Sequence, residues 1–413
     1  GIALPGVILR QTEKMAMADV AWLKPDHHIV MMGDSDDVDV RDRISVAAYL
    51  FLNPVLRFGG FDRLDYESIW DLGMKAGEEY AVMERRKPDF TSLFLEHSGN
   101  TYFRSDWSER ANFLHLHSGT MGAGHGHSDK LHIDLVVNGE DVLMDGGRYT
   151  YVSGPKRFSY KDPSGHNTIT VDDLPFTVCK DSWECSKLSQ PVKENFRCME
   201  LAEFAQAGQL GYMDLPGGVY VNRKVVYIKP DLYILVDEMY TGDCHTYQQY
   251  FHFNNHGAVT LTAPGEKKFP CVAYRGKMAE ADFYFVSAQV KAELKRGHIA
   301  RHYNVEEENT VCKVTKPGDG FTSLITVIDA HPGRPLSIEK LPVRSALKQT
   351  DYPETMAEAL KITTGEKEYV VILCHQEVNS PTDLVEADGC MGYGNVIVFD
   401  KAEDVLVGDV LNW

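Results

Sequence analysis

Apolar and polar positions alternate along most of the chain after about residue 92. In one such run, Ile133, Leu135 and Val137 share one face. His132 and Asp134 share the opposite face. Further β-rich runs span residues 102–104, 112–117, 142–144, 168–171, 219–228, 232–236, 247–253, 258–262 and 281–286. Many short strands separated by turn signals, without long helices between them, predict an antiparallel β-sandwich.

The first ninety residues show helical spacing instead. An apolar run at residues 44–52 stops at Asn53-Pro54, because a residue before proline disfavours the α-helical region. A second helix is predicted over residues 67–85, before Pro88. Two or three helices are too few for a complete helical domain, so residues 1–91 are predicted to be the end of a larger one.

A weaker break at residues 331–335, which read His-Pro-Gly-Arg-Pro, divides the β-rich part of the chain. It predicts a β-sandwich over residues 92–330 and a C-terminal β domain over residues 331–413, with a hairpin at residues 362–370. The chain begins Gly-Ile-Ala-Leu-Pro without an initiator methionine, and we therefore expect a processed, cloned or proteolysed piece of a protein.

The composition of the 413 residues is that of an ordinary globular protein, with 43% hydrophobic and 25% charged residues. No apolar run approaches the roughly 18 residues that a membrane-spanning helix needs. The net charge of −18 argues against nucleic acid as a partner, because a phosphate backbone requires clustered cations. The eight cysteines have no CxxC spacing, and we favour thiols, mostly buried, over disulfides or metal ligands.

The acidic segment at residues 33–42 resembles a calcium-binding loop. An EF-hand loop starting at Asp34 would need glycine at position 39 and glutamate at position 45, where the chain has Asp39 and Ser45. We favour a helix N-terminus enriched in acids that complement the helix dipole.

Residues 115–167 contain most of the candidate catalytic, metal-binding and ligand-binding side chains. They include six of the sixteen histidines, a glycine-rich loop at residues 119–126, and aspartates at positions 129, 134 and 145. Residues 146–161 contain no acid, although the chain as a whole is acidic; their cations are Arg148, Lys156, Arg157 and Lys161. This mixture indicates a site for an anionic ligand.

The turn at Asn138-Gly139 predicts a hairpin that brings the chain back to Asp145. If residue 137 pairs with residue 142, Asp145 lies opposite Asp134. A tight two-residue turn would place it opposite His132 instead. Either register brings Asp145 to the end of the hairpin that the histidine-rich loop enters.

His127 and His166, the latter at the start of another predicted strand, can join Asp145 there. Two imidazoles and one carboxylate with an open position are a common ligand set for zinc. A buried hydrogen-bond network without a metal is the alternative, and spacing alone does not decide between the two.

Other candidates have a structural and a functional interpretation. His115 and His117 are interpreted as strand residues rather than ligands, and His252 as a strand residue rather than a catalytic one. Tyr149 and Tyr151 follow the predicted hairpin and lie within the basic stretch. A phenol beside a cation can act as an acid or base. Tyrosines in strands, however, are usually packing residues. Arginine in that stretch suits bidentate binding of carboxylate or sulfate.

Four segments resemble the heparinase II/III-like polysaccharide lyases. They are residues 98–104 (SGNTYFR), 122–134 (GAGHGHSDKLHID), 143–151 (LMDGGRYTY) and 166–171 (HNTITV). Gly33-Asp-Ser-Asp resembles a further family motif. The resemblance implies an incomplete (α/α) toroid, of which residues 1–91 would be the tail, followed by an antiparallel β-sandwich (supersandwich) and a small β domain. It also implies β-elimination on a uronic-acid glycan of the glycosaminoglycan or alginate type.

The resemblance implies a role for each candidate residue. His125 matches the histidine that lines the cleft, and Tyr149 or Tyr151 an auxiliary catalytic tyrosine. His127, Asp145 and His166 match the ligands of a structural zinc ion. Substrate-binding roles are expected for Arg104, Arg148 and Arg157.

The family's remaining catalytic residues lie in the toroid, upstream of Gly1. We therefore expect the upstream toroid of the same protein as a partner and an acidic polysaccharide or oligosaccharide as the ligand. Two alternatives stay open. One is a zinc-dependent hydrolase in which the metal activates water, and the other is a non-catalytic carbohydrate-binding β-sandwich.

Overall fold

The computed structural model describes residues 4–262, 268–365, 367–378, 382–402 and 405–412. Its helices, apart from one, precede the first strand. They are α1 (Gly6–Trp22), α2 (Arg41–Phe51), α3 (Pro54–Gly59), α4 (Tyr66–Leu72), α5 (Met74–Ala81) and α6 (Pro155–Lys161), followed by a short 3-10 helix at Pro163–Gly165. The helix predicted over residues 67–85 is wrong as a single element: it is divided into α4 and α5 at Gly73, which has a φ of 90°.

The described chain also contains twenty-seven strands, β1 to β27. The first thirteen are β1 (Leu93–Leu95), β2 (Asn100–Arg104), β3 (Phe113–His117), β4 (His132–Val137), β5 (Glu140–Leu143), β6 (Ile169–Val171), β7 (Val178–Cys179), β8 (Cys185–Lys187), β9 (Pro191–Cys198), β10 (Ala202–Tyr212), β11 (Val219–Ile228), β12 (Leu232–Tyr240) and β13 (Cys244–Phe253). The others are β14 (Ala258–Thr262), β15 (Cys271–Arg275), β16 (Glu280–Phe285), β17 (Lys291–His302), β18 (Val305–Asp319), β19 (Thr322–Asp329), β20 (Leu336–Leu341), β21 (Arg344–Ser345), β22 (Ala357–Thr364), β23 (Lys367–Cys374), β24 (Val385–Ala387), β25 (Cys390–Gly392), β26 (Val396–Ala402) and β27 (Val405–Asn412).

Two large antiparallel sheets carry the sandwich. The first has the order β1-β2-β3-β4-β5-β13-β18-β17, and β6 also pairs with β13. The second has the order β14-β15-β16-β19-β12-β11-β10-β9. A five-stranded sheet, β20-β22-β23-β26-β27, and a three-stranded sheet, β21-β24-β25, follow near the C-terminus. The prediction of a mainly β protein built from antiparallel sheets is confirmed.

The second sheet is buried on both faces because its strands alternate apolar side chains toward two different cores. Val225 and Tyr227 of β11 pack against the first sheet, in a core that also holds Leu135 of β4. Val226 and Ile228 point the other way and pack against the five-stranded sheet. The sandwich therefore has three sheet layers.

The helices form a further layer on the outer face of the first sheet. Ala21 at the end of α1 packs there with Tyr102, Phe113 and Val136. His115 and His117 lie on this same outer face, because they alternate with Leu114 and Leu116 of the inner core. Polar side chains that lie outside the sandwich core therefore face the space between the helices and the first sheet.

The β4–β5 hairpin has the tight register. Val137 pairs with Glu140 across the two-residue turn, and a bulge then shifts the ladder so that Leu135 pairs with Leu143. The pairing at the turn is that of the tight alternative, but the bulge shifts the ladder by one residue, so Asp145 is not directly opposite His132; the His132 Nδ1 to Asp145 Oδ2 distance is 3.7 Å. Among the helices of the described residues, none is both long and apolar enough to cross a bilayer.

Candidate functional site

A cleft of about 650 Å³ lies between the helical segment and the first sheet. Its walls come from four parts of the chain, residues 22–35, 98–100, 117–129 and Tyr151. The lining side chains include Trp22, Asp34, Asn100, His117, His125, Asp129 and Tyr151. The helical segment and the glycine-rich loop thus face each other across one space, which the linear sequence separates by about ninety residues.

His125 is the exposed histidine of this cleft. Its side chain is 67% exposed, and its Nδ1 lies 3.0 Å from Oδ2 of Asp34. The rings of Tyr151 and Trp183 approach it edge-on, at centroid distances of 5.8 and 5.2 Å. Asp34 accepts the Nδ1 hydrogen bond and so orients the ring with its other nitrogen as the one for a ligand.

Asp34 is buried and joins three side chains of the β domain to the helical segment. Besides His125, it contacts Nε2 of His127 at 2.9 Å and Nη2 of Arg157 at 2.6 Å. Burial by itself would raise the pKa of Asp34, but His127 and Arg157 outweigh that effect and hold the pKa below its usual value. Asp34 is therefore a carboxylate at neutral pH.

The backbone around Asp34 leaves little room. Its N–H donates to the carbonyl oxygen of His125 at 3.0 Å. The preceding Gly33 has a φ of 57°, and a Cβ there would lie 2.7 Å from the same carbonyl oxygen. A glycine at position 33 is required for this close approach of the helical segment to the histidine loop.

His127, Asp145 and His166 meet beneath the cleft, and all three are buried. Their potential ligand atoms lie within 4.8 Å of one another, and Nδ1 of His166 is 2.6 Å from Oδ2 of Asp145. Nδ1 of His127 and Nε2 of His166 have no hydrogen-bond partner. Buried polar atoms are normally satisfied, so these two nitrogens, together with the carboxylate, fit the donor set of a zinc ion.

The two imidazoles of this cluster have opposite electrostatic environments. Burial lowers the pKa of His127, although Asp34 partly opposes the effect. Burial also disfavours the charged form of His166, but Asp145 outweighs it and raises the pKa of that histidine. A neutral His127 is the form that ligates a metal.

A polar network on β2, β3 and β4 supports the floor of the cleft. Oδ1 of Asn100 lies 2.9 Å from Nε2 of His115 and 2.8 Å from Nδ1 of His117. Nδ1 of His115 is 2.9 Å from Oδ2 of Asp134. Burial lowers the pKa of His117 to about 4, which keeps it neutral. The interpretation of these histidines as hydrogen-bonded strand residues agrees with this arrangement, although His117 also faces the cleft.

The expected substrate-binding role of Arg104 disagrees with its position. Its side chain is buried, donates to the carbonyl oxygen of Leu23, and lies over the rings of Trp107 and Phe113. Burial lowers its pKa to about 10. Arg104 therefore fixes the helical segment to the sheet and has no surface to offer a polysaccharide.

Arg157 and Arg148 are both paired with acids of the run at residues 33–42. Arg157 is fully buried against Asp34. Arg148 binds Asp36 at 2.8 Å and lies over the rings of Tyr151 and Tyr303. The acid-free stretch is thus balanced by acids that are distant in sequence. The expectation that its arginines bind the ligand directly is wrong for Arg157, which has no exposed atoms to reach one.

The two candidate tyrosines differ in their position relative to the cleft. Tyr151 lines the cleft, receives a hydrogen bond from Nη1 of Arg148, and stacks on Trp183 at 5.2 Å. Tyr149 stacks on Tyr160 at 5.9 Å and lies outside the cleft lining. The geometry therefore favours Tyr151 over Tyr149 as the cleft tyrosine.

Three residues of the site, Asp34, Asn100 and Trp183, were not predicted from the sequence. Asp34 had a signal, its place in the Gly33-Asp-Ser-Asp motif, but the acidic run as a whole was interpreted as a helix start. That interpretation holds only for part of the run, where Asp39 accepts a hydrogen bond from the backbone N–H of Arg41. Asn100 lies in the segment at residues 98–104 that resembles the family, but no role was assigned to it there, and nothing in the local sequence of Trp183 singles it out.

Comparisons with known proteins give a family and a set of similar folds. The family model for the heparinase II/III-like C-terminal region matches residues 87–338. No curated protein sequence matches. The solved structure of heparan sulfate lyase HepC from Pedobacter heparinus has a TM-score of 0.70 at 18% identity, covering 91% of this chain and 55% of that one.

Two solved structures of heparinase III are similar. The BT4657 gene product has a TM-score of 0.68 at 15% identity, covering 90% of this chain and 53% of that one. The other has a TM-score of 0.67 at 15% identity, covering 90% and 55%. At these identities the likeness shows the fold, and the chain spans about half the length of each solved relative.

Proposed function

Since the chain belongs to the heparinase II/III-like C-terminal family, we propose that it is the β-sandwich part of a polysaccharide lyase. Its substrate is a uronic-acid-containing glycan of the glycosaminoglycan or alginate type, cleaved by β-elimination. The observation that carries the proposal is an exposed histidine, His125, held by a buried carboxylate beside the Tyr151 phenol in one cleft.

Elimination requires a base for the C5 proton of the uronate and an acid for the oxygen that leaves C4. Asp34 accepts from Nδ1 of His125, so Nε2 is the nitrogen that takes or returns a proton in the cleft. Arg148 donates to the phenolic oxygen of Tyr151, so the Tyr151 O–H stays available as a donor to the leaving oxygen. The two side chains therefore supply complementary proton transfers.

The C5 proton becomes removable only when the uronate carboxylate is neutralised, because negative charge builds up on it during the reaction. The two arginines nearest the cleft are already paired with Asp34 and Asp36. The described chain therefore supplies only part of the positive charge and donors that the reaction needs. An upstream helical domain that completes the cleft would supply the rest.

The cluster of His127, Asp145 and His166 would hold a structural zinc ion, whose role when bound is to fix the loop that carries His125. All three side chains are 0–1% exposed. A water on such an ion would not reach a polysaccharide, and this burial supports a lyase over a hydrolase with a metal-activated water. His127 links the cluster to Asp34 and so to His125.

The helical segment carries an apolar surface of the kind that an upstream helical domain would cover. Exposed apolar side chains on and around α1 and α2 are Leu4, Val7, Ile8, Leu9, Met15, Leu50 and Leu52. Several of them line one groove of about 690 Å³ between these helices. Contiguous apolar surface of this kind marks an interface, and we assign it to the tail of an (α/α) toroid.

The test is an assay of the full-length protein on heparan sulfate and on alginate, followed by the ultraviolet absorbance of an unsaturated uronate product. We expect His125→Ala to lower the rate by about 100-fold to 10,000-fold, the usual contribution of a general acid or base. His331→Ala is the matched control, since its side chain is 63% exposed and lies outside the cleft lining. Unchanged turnover by His125→Ala would remove this residue from the mechanism.

The same assay separates the alternatives. New reducing ends without an ultraviolet-absorbing product would indicate a hydrolase. Binding of an acidic glycan without turnover by the full-length protein would indicate a carbohydrate-binding module.

A further inference from the structure

A small hairpin, β7 paired with β8, lies beside the cleft, where its Trp183 contacts His125 and Tyr151. Cys179 and Cys185 are partners across this hairpin, and their sulfur atoms lie 3.0 Å apart. Sγ of Cys185 also lies 3.6 Å from Sδ of Met121 in the glycine-rich loop. The two thiols therefore sit side by side, next to the loop that carries His125.

The tip of the hairpin contacts two side chains that line the cleft. Trp183 stacks on Tyr151 at 5.2 Å and meets the edge of the His125 ring at the same distance. Nζ of the buried Lys161 donates to the carbonyl oxygens of Ser182 and of Gly124, each at 3.0 Å. The hairpin and the glycine-rich loop are thus connected through a shared cation and a shared aromatic contact.

The backbone of this hairpin is weak by itself. In the part of the chain that the structure describes, β7 and β8 pair only with each other, through two residue pairs with a register shift between them. An isolated two-stranded hairpin is at best marginally stable in water. The position of Trp183 therefore depends on side-chain contacts, and a covalent link across the hairpin would change how firmly it is held.

We propose that Cys179 and Cys185 are a redox-active pair that closes to a disulfide and thereby fixes Trp183 against His125 and Tyr151, two side chains that line the cleft. Partners in an antiparallel ladder have Cα atoms about 4.5–5.5 Å apart. Disulfides accept Cα separations of about 4.4–6.8 Å, so the link needs little backbone movement. This site is independent of the proposed lyase activity, since neither sulfur is assigned a part in that reaction.

The oxidant is a small-molecule disulfide such as oxidised glutathione. Burial raises the pKa of the Cys179 thiol, and the S–H that it donates to Cys185 raises that pKa further, so the reaction starts at Cys185. Its thiolate attacks one glutathione sulfur, the glutathione disulfide bond breaks, and one glutathione thiolate leaves. Cys179 then attacks the sulfur of Cys185 and displaces the second glutathione. Two cysteine thiols are oxidised, one glutathione disulfide is reduced, and the two thiol protons end on the two glutathione molecules.

The first test measures the link itself in the whole chain after equilibration with oxidised glutathione. We expect a peptide map to show Cys179 joined to Cys185. We expect Cys179→Ser to give only a mixed disulfide of glutathione with Cys185. A variant with Cys198→Ser and Cys244→Ser, which removes the two exposed cysteines, is the matched control and should still form the link. Glutathione adducts without an internal link in the wild type would overturn the proposal.

The second test measures the consequence by amide hydrogen exchange of residues 178–187 and 119–126. We expect exchange in both segments to be about tenfold slower in the oxidised than in the reduced chain, because the link opposes local opening. In the Cys185→Ser variant the oxidant should have no such effect. A linked hairpin whose exchange matches that of the reduced chain would overturn the proposal that the link fixes Trp183. Neither test uses turnover, so failure of the lyase proposal would leave both results interpretable.

Discussion

His125 and His127 are separated by one glycine and have opposite environments. The side chain of His125 is 67% exposed in the cleft, whereas that of His127 is buried among Asp34, Asp145 and His166. One carboxylate, Asp34, contacts both rings. At the scale of the residue, a buried cluster therefore orients an exposed side chain, and the two roles are separable by mutation.

The buried cluster gives a prediction about metal content. We expect His127→Ala or Asp145→Ala to remove bound zinc and to lower the free energy of unfolding by about 3–5 kcal/mol, because each change leaves buried charged or polar groups without partners. Metal analysis and denaturant unfolding measure the two effects.

The control for this prediction is His252→Ala. His252 is also buried, and its Nε2 lies 2.9 Å from the carbonyl oxygen of Ser164, outside the cluster. It should retain the metal per folded molecule. Wild-type protein that is fully stable after metal has been removed with a chelator would contradict the structural role of the ion.

At the scale of the element, the glycine-rich loop is shaped by close backbone approaches. A Cβ on Gly126, between the two histidines, would lie 1.8 Å from the carbonyl oxygen of Met121. Gly126→Ala should therefore displace both His125 and His127, destabilise the protein by about 1–3 kcal/mol or more, and lower its metal content. Thermal unfolding and metal analysis would measure these changes.

Gly122→Ala is the comparison within the same loop. A Cβ at Gly122 meets no atom within 4 Å, so its cost is confined to the strain of a φ of 75°, about 1–2 kcal/mol. It should keep the metal. Equal loss of metal in both variants would mean that loop strain, rather than the position of the two histidines, controls the site.

The stability of the contact between β12, β22 and His375, which follows β23, is expected to depend on pH. His375 lies between two buried carboxylates, with Nδ1 2.7 Å from Glu238 and Nε2 3.0 Å from Glu358. Burial would raise the pKa values of both acids, but Lys224 and His375 at Glu238, and His375 and Lys340 at Glu358, outweigh it and lower each to about 2. Burial would lower the pKa of His375, and the two carboxylates raise it instead.

These shifts give stability limits on both sides of a pH window. The carboxylates contribute fully above their ordinary pKa of 4.5, and the contribution is lost as the pH falls toward about 2. The His375 contribution is complete below its ordinary pKa of 6.5 and is lost as the pH rises through the raised value. The difference in melting temperature between the wild type and His375→Gln should therefore be largest between these two pH values and shrink on the alkaline side. A constant difference at all pH values would contradict the assignment.

At the scale of the whole molecule, four layers stack in one order, with the helices, the first sheet, the second sheet and the five-stranded sheet in succession. The first sheet has the sandwich core on one face and the cleft with the helical segment on the other. The outer side of the helical segment exposes apolar residues. The β layers are therefore packed against one another on their apolar faces, whereas the helical segment has apolar side chains exposed to solvent.

The exposed apolar side chains of the helical segment give a prediction about an upstream domain. Leu50 is 60% exposed in this chain, so Leu50→Glu should change its stability by no more than about 0.5 kcal/mol, as is usual for surface positions. In a longer protein whose upstream helices cover α2, the same change should lower the melting temperature clearly, because it buries a charge. Leu347→Glu, at a position 67% exposed near the C-terminal sheets, should be silent in both. Equal, small effects of Leu50→Glu in both proteins would contradict the assigned interface.

The amino-acid sequence by itself predicted many strands of the β-rich part and the three residues of the buried cluster, and it left open whether a metal or a hydrogen-bond network holds that cluster. The alternation of Ile133 and Leu135 with His132 and Asp134 fixed the faces of β4, because successive side chains of a strand point to opposite sides. The turn at Asn138-Gly139 limited Asp145 to two positions, opposite Asp134 or opposite His132, at the same end of the hairpin. The long strands β17 and β18 were not anticipated, since polar residues dominate both of their faces.

Tertiary structure alone decided which cations are available and which acid orients His125. Arg157 and Arg148 look free in the sequence because the aspartates that neutralise them lie more than a hundred residues earlier. Asp34 and Asn100 enter the cleft from two separate segments, and Trp183 comes from a third to contact His125 and Tyr151. Charge pairing and cleft lining depend on which surfaces pack together, and packing brings together residues whose separation along the chain has no fixed value.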